Sequence, residues 1–242
     1  SLGNSQSFGD LTVGVRYPSA TSSPIRGIFG GGRNSSDGNV NVMSYVTIAT
    51  TGHATDFGDL SYKPYSQAST GSSTRGMTVG GYNDAGDAAY DNIDYVTIAT
   101  TGNAQDFGNL TVARGGLAAT SNAVRGTFLG GATVPANTNH IDYVTIASTG
   151  DATDFGNLTD AREGLAGNSS NTRAIFGGGN DPSASNIIDK VEFATIGNAT
   201  DFGDMTEARG ILAGGGDATR SLFAGGQGQT NTGAPNNNNC LL

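Results

Sequence analysis

One wording recurs along the 242-residue chain. Ser44 to Leu60 reads SYVTIATTGHATDFGDL, and Asp94 to Thr120 reads DYVTIATTGNAQDFGNLTVARGGLAAT. Asp142 to Gly167 reads DYVTIASTGDATDFGNLTDAREGLAG, and Asp189 to Gly214 reads DKVEFATIGNATDFGDMTEARGILAG. The Phe-Gly pair inside this wording stands at Phe8, Phe57, Phe107, Phe155 and Phe202, with spacings of 49, 50, 48 and 47. An independent marker, an Arg followed five and six residues later by Gly-Gly, falls at Arg26, Arg75, Arg125, Arg173 and Arg220 with the same spacings. Five units of about 48 residues follow, and a period of this length means stacked or radially repeated supersecondary units.

Within a unit, YVTIA alternates apolar Val96 and Ile98 with polar Thr97 and is dominated by β-branched residues, which predicts a strand. RGTFLGG is a second apolar run ended by glycines, GLAAT a third with small side chains, and DFGNLTV a fourth after the turn signal TTGNA. No helical periodicity is present. Glycine supplies 39 residues, so tight turns and close backbones are the theme. Four short antiparallel strands in about 48 residues make one blade of a β-propeller. The expected fold is all-β: a single domain over residues 1–242, five-bladed, with four-stranded antiparallel blades.

The ends of the sequence predict ring closure. Gly3 to Ser7 aligns with GNATD, and the strand that should precede it falls on Asn238 to Leu242. The last blade is then shared between residues 1–13 and 203–242, and its closure removes free sheet edges. An open array of five units is the alternative, although such arrays usually carry atypical capping repeats.

Composition narrows the function. A net charge of −9 and a pI near 4.4 exclude the basic stripe that nucleic acid requires. Cys240 is the only cysteine, so the chain forms no internal disulfide and no cysteine-rich metal site. No apolar run reaches the roughly 18 residues of a membrane span. The start SLGNSQSFGD has no initiator Met and no signal-peptide pattern, and the expectation is a soluble chain, processed or a fragment, without membrane insertion.

Residues constant among units are expected to be scaffold. Arg26, Arg75, Arg125, Arg173 and Arg220, with partners Arg16, Lys63, Arg114, Arg162 and Arg209 near the first strand, form either a cationic ring for an anion or a set of braces. Pairing with repeat carboxylates such as Asp56, Asp106, Asp154 and Asp201 favours the braces. Phe57, Phe107, Phe155 and Phe202 are structural, with Phe107 and Phe155 expected between adjacent blades. The double glycines are no phosphate loop, because no helix follows them. Gly31, Gly32 and their equivalents let backbones pass closely where the second strand ends.

Catalysis finds little material. His53 sits in the turn TGHAT as an exposed residue, and His140 lies in a loop before IDYVT. Aspartates such as Asp87, Asp91 and Asp181 permit the carboxylate pair of a five-bladed glycosidase, but most of the 18 aspartates recur by repeat or form turns. The expectation is no enzyme, no cofactor and no resident metal, with the segment NDAGDAAYDN a weak calcium candidate.

The units disagree between the double glycine and the next strand: RNSSDGNVNVMS, YNDAGDAAYDNI, ATVPANTNHI, NDPSASNIID and QGQTNTGAPNN. Antiparallel connectivity puts these loops on one face. Their candidate ligand-binding residues are Arg33, Asn34, Tyr82, Asn83, Asp84, Tyr90, His140, Asn180 and Asp181, groups suited to polyhydroxylated ligands or wet protein interfaces.

The small-residue strand, the apolar run ending in Gly-Gly, the VEF or VTI strand and the following aromatic together resemble the kelch repeat of β-propellers. The chain has no Trp, and Phe107 and its equivalents stand where kelch blades carry one. The copper chemistry of some kelch-type oxidases would need clustered Tyr, Cys and His, which this sequence lacks. The wording YVTIATTGNATDFGDLTVAR is also similar to repeats in structural and tail-associated proteins of marine bacteriophages, especially those of cyanobacteria. That resemblance implies a virion surface, other virion proteins as partners, and a non-enzymatic role as adhesin or particle decoration. A soluble glycan-binding lectin or protein-interaction scaffold is the alternative.

Overall fold

The computed structural model describes residues 5–36 and 38–228. Among them every regular element is a strand. The first unit contains β1 (Ser19–Ser22), β2 (Arg26–Gly30), β3 (Val42–Thr47) and β4 (Thr55–Asp59). The second contains β5 (Ala68–Gly71), β6 (Arg75–Val79), β7 (Asn92–Thr97) and β8 (Gln105–Asn109). In the third are β9 (Ala118–Ser121), β10 (Arg125–Leu129), β11 (His140–Thr145) and β12 (Thr153–Asn157), and in the fourth β13 (Ala166–Ser169), β14 (Arg173–Gly177), β15 (Ile187–Glu192) and β16 (Thr200–Asp204). Each set forms one antiparallel four-stranded sheet in sequence order. The fifth unit is described as β17 (Arg209–Gly210) paired with β20 (Gln227–Gly228), and β18 (Ala213–Gly216) paired with β19 (Ser221–Ala224).

The units are joined backbone to backbone. Phe57 O and Asp59 O accept from Gly102 N and Ala104 N of the next unit, and the same pair of bonds recurs from Phe107 and Asn109 and from Phe155 and Asn157. Residues 8–10 copy it: Phe8 O and Asp10 O accept from Gly52 N and Ala54 N at 2.8 Å. This N-terminal segment therefore stands against the first unit where a fourth strand stands against every later one. The expected closing strand, Asn238–Leu242, lies outside the described residues, as do residues 1–4.

Between sheets lies the core. One cluster joins Ile28, Met43 and Phe57 of the first unit to Val96 and Ile98 of the second; another joins Ile93 and Phe107 to Phe128 and Ile146. Phe155 meets Val191 and Phe193 across the third junction. Phe57, Phe107 and Phe155 are 1–3% exposed, but Phe202, at the end of the series, is 48% exposed. Likewise Ile98, Ile146 and Phe193 are 2–3% exposed, while Ile48 of the first unit is 47% exposed. A neighbouring unit is what seals each position.

The double glycine works as a close-approach device. Gly130 and Gly131 have φ of 60° and 95°, and a Cβ on either would sit 2.6 Å from a carbonyl oxygen, of Arg162 and Gly115 respectively. The left-handed conformation and the approach both require glycine.

Candidate functional site

Three of the expected braces have partners other than the expected carboxylates. Arg26 Nη1 donates to Ile98 O at 2.7 Å, and Arg75 and Arg125 donate to Ile146 O and Phe193 O, each carbonyl belonging to the next unit. Their guanidinium carbons stand 4.4, 4.4 and 4.8 Å from the ring centres of Tyr45, Tyr95 and Tyr143. The carboxylates expected as partners serve their own strand instead. Asp106, Asp154 and Asp201 accept from the backbone N–H two residues on, at Gly108, Gly156 and Gly203.

The second arginine set is also regrouped. Arg114, Arg162 and Arg209 are fully buried, and the first two pair with Asp142 at 2.9 Å and Asp189 at 2.8 Å inside their own units. Burial lowers both guanidinium pKa values from the ordinary range, and the facing aspartate opposes the shift. Their equivalents seven residues after the phenylalanine are Val15 and Pro64, so Arg16 and Lys63 are not members of the set. Both are exposed. Asp94 therefore lies buried without an arginine, held by Ser61 N and Ser61 Oγ, and burial raises its carboxyl pKa despite those bonds.

The variable loops of adjacent units touch. Asn39 donates its backbone N–H to Asp84 Oδ1 and its Nδ2 to Tyr82 O, while Asn137 Nδ2 donates to Asn180 O and Asp181 Oδ1. Of the nine candidates, Arg33, Asn34 and Asp84 line one open cleft of about 890 Å³ together with Arg16, Ser35 and Ser36. Arg33 Nη2 lies 3.6 Å from Asp84 Oδ1. Tyr82 belongs to a row of rings, with Tyr17 to Tyr65 at 6.2 Å and Tyr65 to Tyr82 at 5.5 Å between centroids. Its phenol reaches the fourth unit, donating to Glu163 Oε2 at 2.8 Å. Glycine makes that reach open: a Cβ on Gly115 would sit 2.7 Å from the Tyr82 ring, and one on Gly116 2.8 Å from Glu163 Oε2. Burial first, then the bond to Glu163, pushes the Tyr82 phenol pKa well up, keeping it a donor.

The remaining candidates are placed elsewhere. Asn83 Oδ1 accepts from Gly86 N and holds its own loop, and Tyr90 packs edge-on against Tyr62 at 5.0 Å. Asn180 and Asp181 lie with Asn137, apart from the cleft lining. His140 is corrected from loop to strand, since it opens β11 opposite Asn157. His53, in its turn, accepts from Asp10 N through Nδ1, the same service that Asn103, Asp151 and Asn198 give the later units. Sequence reasoning missed Arg16, Tyr65 and Glu163. All stand eight residues after their unit's phenylalanine, where the other units have Gly115 and Gly210, so disagreement inside otherwise constant wording was the signal.

Among the described residues, no group of three His, Cys, Asp or Glu side chains is placed to hold a metal ion, and no helix is long and apolar enough to cross a membrane. No protein-family model matches the chain, and no curated protein matches it.

Proposed function

We propose that this chain is a non-enzymatic binding module, a five-bladed β-propeller whose loop face meets a ligand and whose repeat-constant residues only hold the ring. One observation carries the reading: much of the repeated wording is taken up by contacts between and within units, while Arg33, Asn34 and Asp84 of the variable loops line the open cleft and Tyr82 joins the tyrosine row. Ring closure through Asn238–Leu242 and Ser1–Val13 is supported by Phe8 and Asp10, which bond the first unit as a fourth strand does. Closed this way, the domain spans residues 1–242, with the last blade shared between 1–13 and 203–242.

The setting rests on the repeat wording alone. The resemblance of that wording to repeats of marine phage tail and structural proteins supports a virion surface as the setting, with the propeller an adhesin for a host glycan or protein or a particle decoration. Polar loops offer few apolar anchors, so single-site affinity is modest and attachment depends on many copies, which raise avidity by about 10² to 10⁴.

Protein immobilised at high density should capture host cells or their surface glycans. Exchanging the variable loops should abolish capture with little change in melting temperature, while substituting Arg26, Arg75 and Arg125 should weaken the fold first. A dense array that captures neither cells nor glycans would remove the adhesin and leave a structural role. Mass spectrometry of purified particles tests the virion setting; glycan capture by a protein absent from particles would make it a soluble lectin instead.

A further inference from the structure

Eight and nine residues after each unit's phenylalanine the wording changes from unit to unit: Arg16-Tyr17, Tyr65-Ser66, Gly115-Gly116, Glu163-Gly164 and Gly210-Ile211. The backbone there joins one unit to the next. Gly116 N donates to Ser66 O at 2.9 Å, Gly164 N to Gly116 O at 2.8 Å and Ile211 N to Gly164 O at 2.7 Å, all through residues in the left-handed conformation. Glycine holds that conformation without steric cost in the third and fourth units. Tyr17 holds it at a φ of 57° and is 50% exposed, so little burial offsets the strain. A non-glycine residue kept in this way marks a position shaped for use rather than for the fold.

Tyr17 opens an arc of side chains that runs across the units. Tyr65 and Tyr82 are opposite residues of one antiparallel bridge, and Glu163 and Asn180 of another, so each pair projects from one face of its ladder. Ring centres step from Tyr17 to Tyr65 by 6.2 Å and on to Tyr82 by 5.5 Å. The Tyr82 phenol then crosses the third unit to Glu163 Oε2 at 2.8 Å. Glycines clear the space: a Cβ at Gly115 would strike the Tyr82 ring, one at Gly116 the Glu163 carboxylate, and one at Gly210 the Asn180 amide. Three aromatic rings, a carboxylate and an amide thus follow one another at positions that the repeat does not hold constant.

The chemistry of the arc narrows the ligand. Among the described residues, neither Glu163 Oε1 nor the Asn180 side-chain amide bonds to another protein group, and both residues are partly exposed. A carboxylate oxygen accepts strongly from hydroxyls, and an amide both donates and accepts. Tyrosine rings add broad apolar faces. Together these suit a pyranose, which is apolar on its faces and hydroxylated at its rim. An anion would meet Glu163 and a net charge of −9. A cation would meet the Arg33 guanidinium, whose carbon already stands 5.8 Å from the Tyr65 ring centre. Resting on the binding-module reading, we propose that the arc is a subsite for a neutral glycan, with sugar rings against Tyr17 and Tyr65 and hydroxyls on Asn180 and on Glu163, which Tyr82 holds in place.

The test passes the full chain over immobilised neutral oligosaccharides of glucose, galactose, mannose or N-acetylglucosamine, beside oligogalacturonate and a choline conjugate. At least one neutral glycan should be retained tenfold or more over both charged ligands. Tyr17→Gly and Glu163→Gln should each reduce that retention roughly tenfold, as for loss of a stacking face or a charge-assisted bond. The denaturation midpoint of Tyr17→Gly should be unchanged or raised, because a left-handed tyrosine is relieved; a lowered midpoint would make Tyr17 a residue of the fold and overturn its place in the subsite. Glu163→Gln keeps an acceptor for the Tyr82 phenol and so separates binding from folding. Undiminished retention by either variant would overturn the subsite, as would equal or stronger retention of oligogalacturonate or choline, or no retention of any neutral glycan. If host cells are still captured in those cases, the subsite alone falls; if no cell and no glycan is held, the binding reading falls with it.

Discussion

Nine residues after each unit's phenylalanine the backbone turns left-handed: Tyr17, Ser66, Gly116, Gly164 and Ile211 have φ of 57°, 51°, 64°, 65° and 55°. Two units use glycine there, and three place a side chain in a conformation that costs an L-residue of order 1–3 kcal/mol. Ile211 is the most burdened, being β-branched, and it is half exposed, so its burial returns little. Ile211→Gly should therefore stabilise the protein by about 1 kcal/mol, read as a raised denaturation midpoint. The pattern was hidden in the sequence because Tyr, Ser and Ile do not announce a left-handed turn. Asp94 gives a second residue-scale expectation. Its native carboxyl pKa is raised, chiefly by burial, above the ordinary value of about 3.9. Between the two values the folded state binds more protons than the unfolded one, so this group's contribution to stability grows as pH falls through that window. In denaturant titrations the wild type should gain on Asp94→Asn as pH drops toward 4; a gain in the opposite direction would contradict the assignment.

At the scale of strands, the number and order of elements were legible because alternation, turn residues and glycines repeat in register in every unit. Positions within a strand were less so. VTI in YVTIA suggests a strand through Ile146, yet β11 ends at Thr145, and Ile146 is buried at the junction, its N–H on Val124 O and its carbonyl taken by Arg75. The same offset put His140 into a loop. Charge counting paired the arginine braces with aspartates; the tyrosine of YVT, which lies under the guanidinium in the first three units, was the better signal. Lys190 replaces that tyrosine in the fourth unit, where Arg173 is exposed. Arg75→Lys should lose both the ring contact and the directed bond to Ile146 O, costing about 1–2 kcal/mol in the denaturation midpoint. No loss beyond a few tenths of a kcal/mol would show that the brace contributes nothing to holding units together.

For the whole molecule, period counting reached further than any single residue. It assigned residues 8–10 the place of a fourth strand, and their bonds to Gly52 and Ala54 occupy that place. The cleft was only partly legible. Arg33, Asn34 and Asp84 come from variable loops and were found, but Arg16 was filed with the braces because one cation near a first strand reads like another. Closure is the central claim, and it assigns a partner to the two surfaces that break the repeat, around Phe202 and around Ile48. Truncating a side chain sealed between units as Phe155 is should cost about 3–5 kcal/mol on replacement by Ala. The decisive measurement is the unfolding free energy of Phe202→Ala set beside that of Phe155→Ala in the full-length chain. A closed five-unit ring, which buries Phe202 as its equivalents are buried, predicts losses that agree within about 1 kcal/mol. A Phe202→Ala loss below about 1 kcal/mol, as for a ring left half in water, would contradict closure.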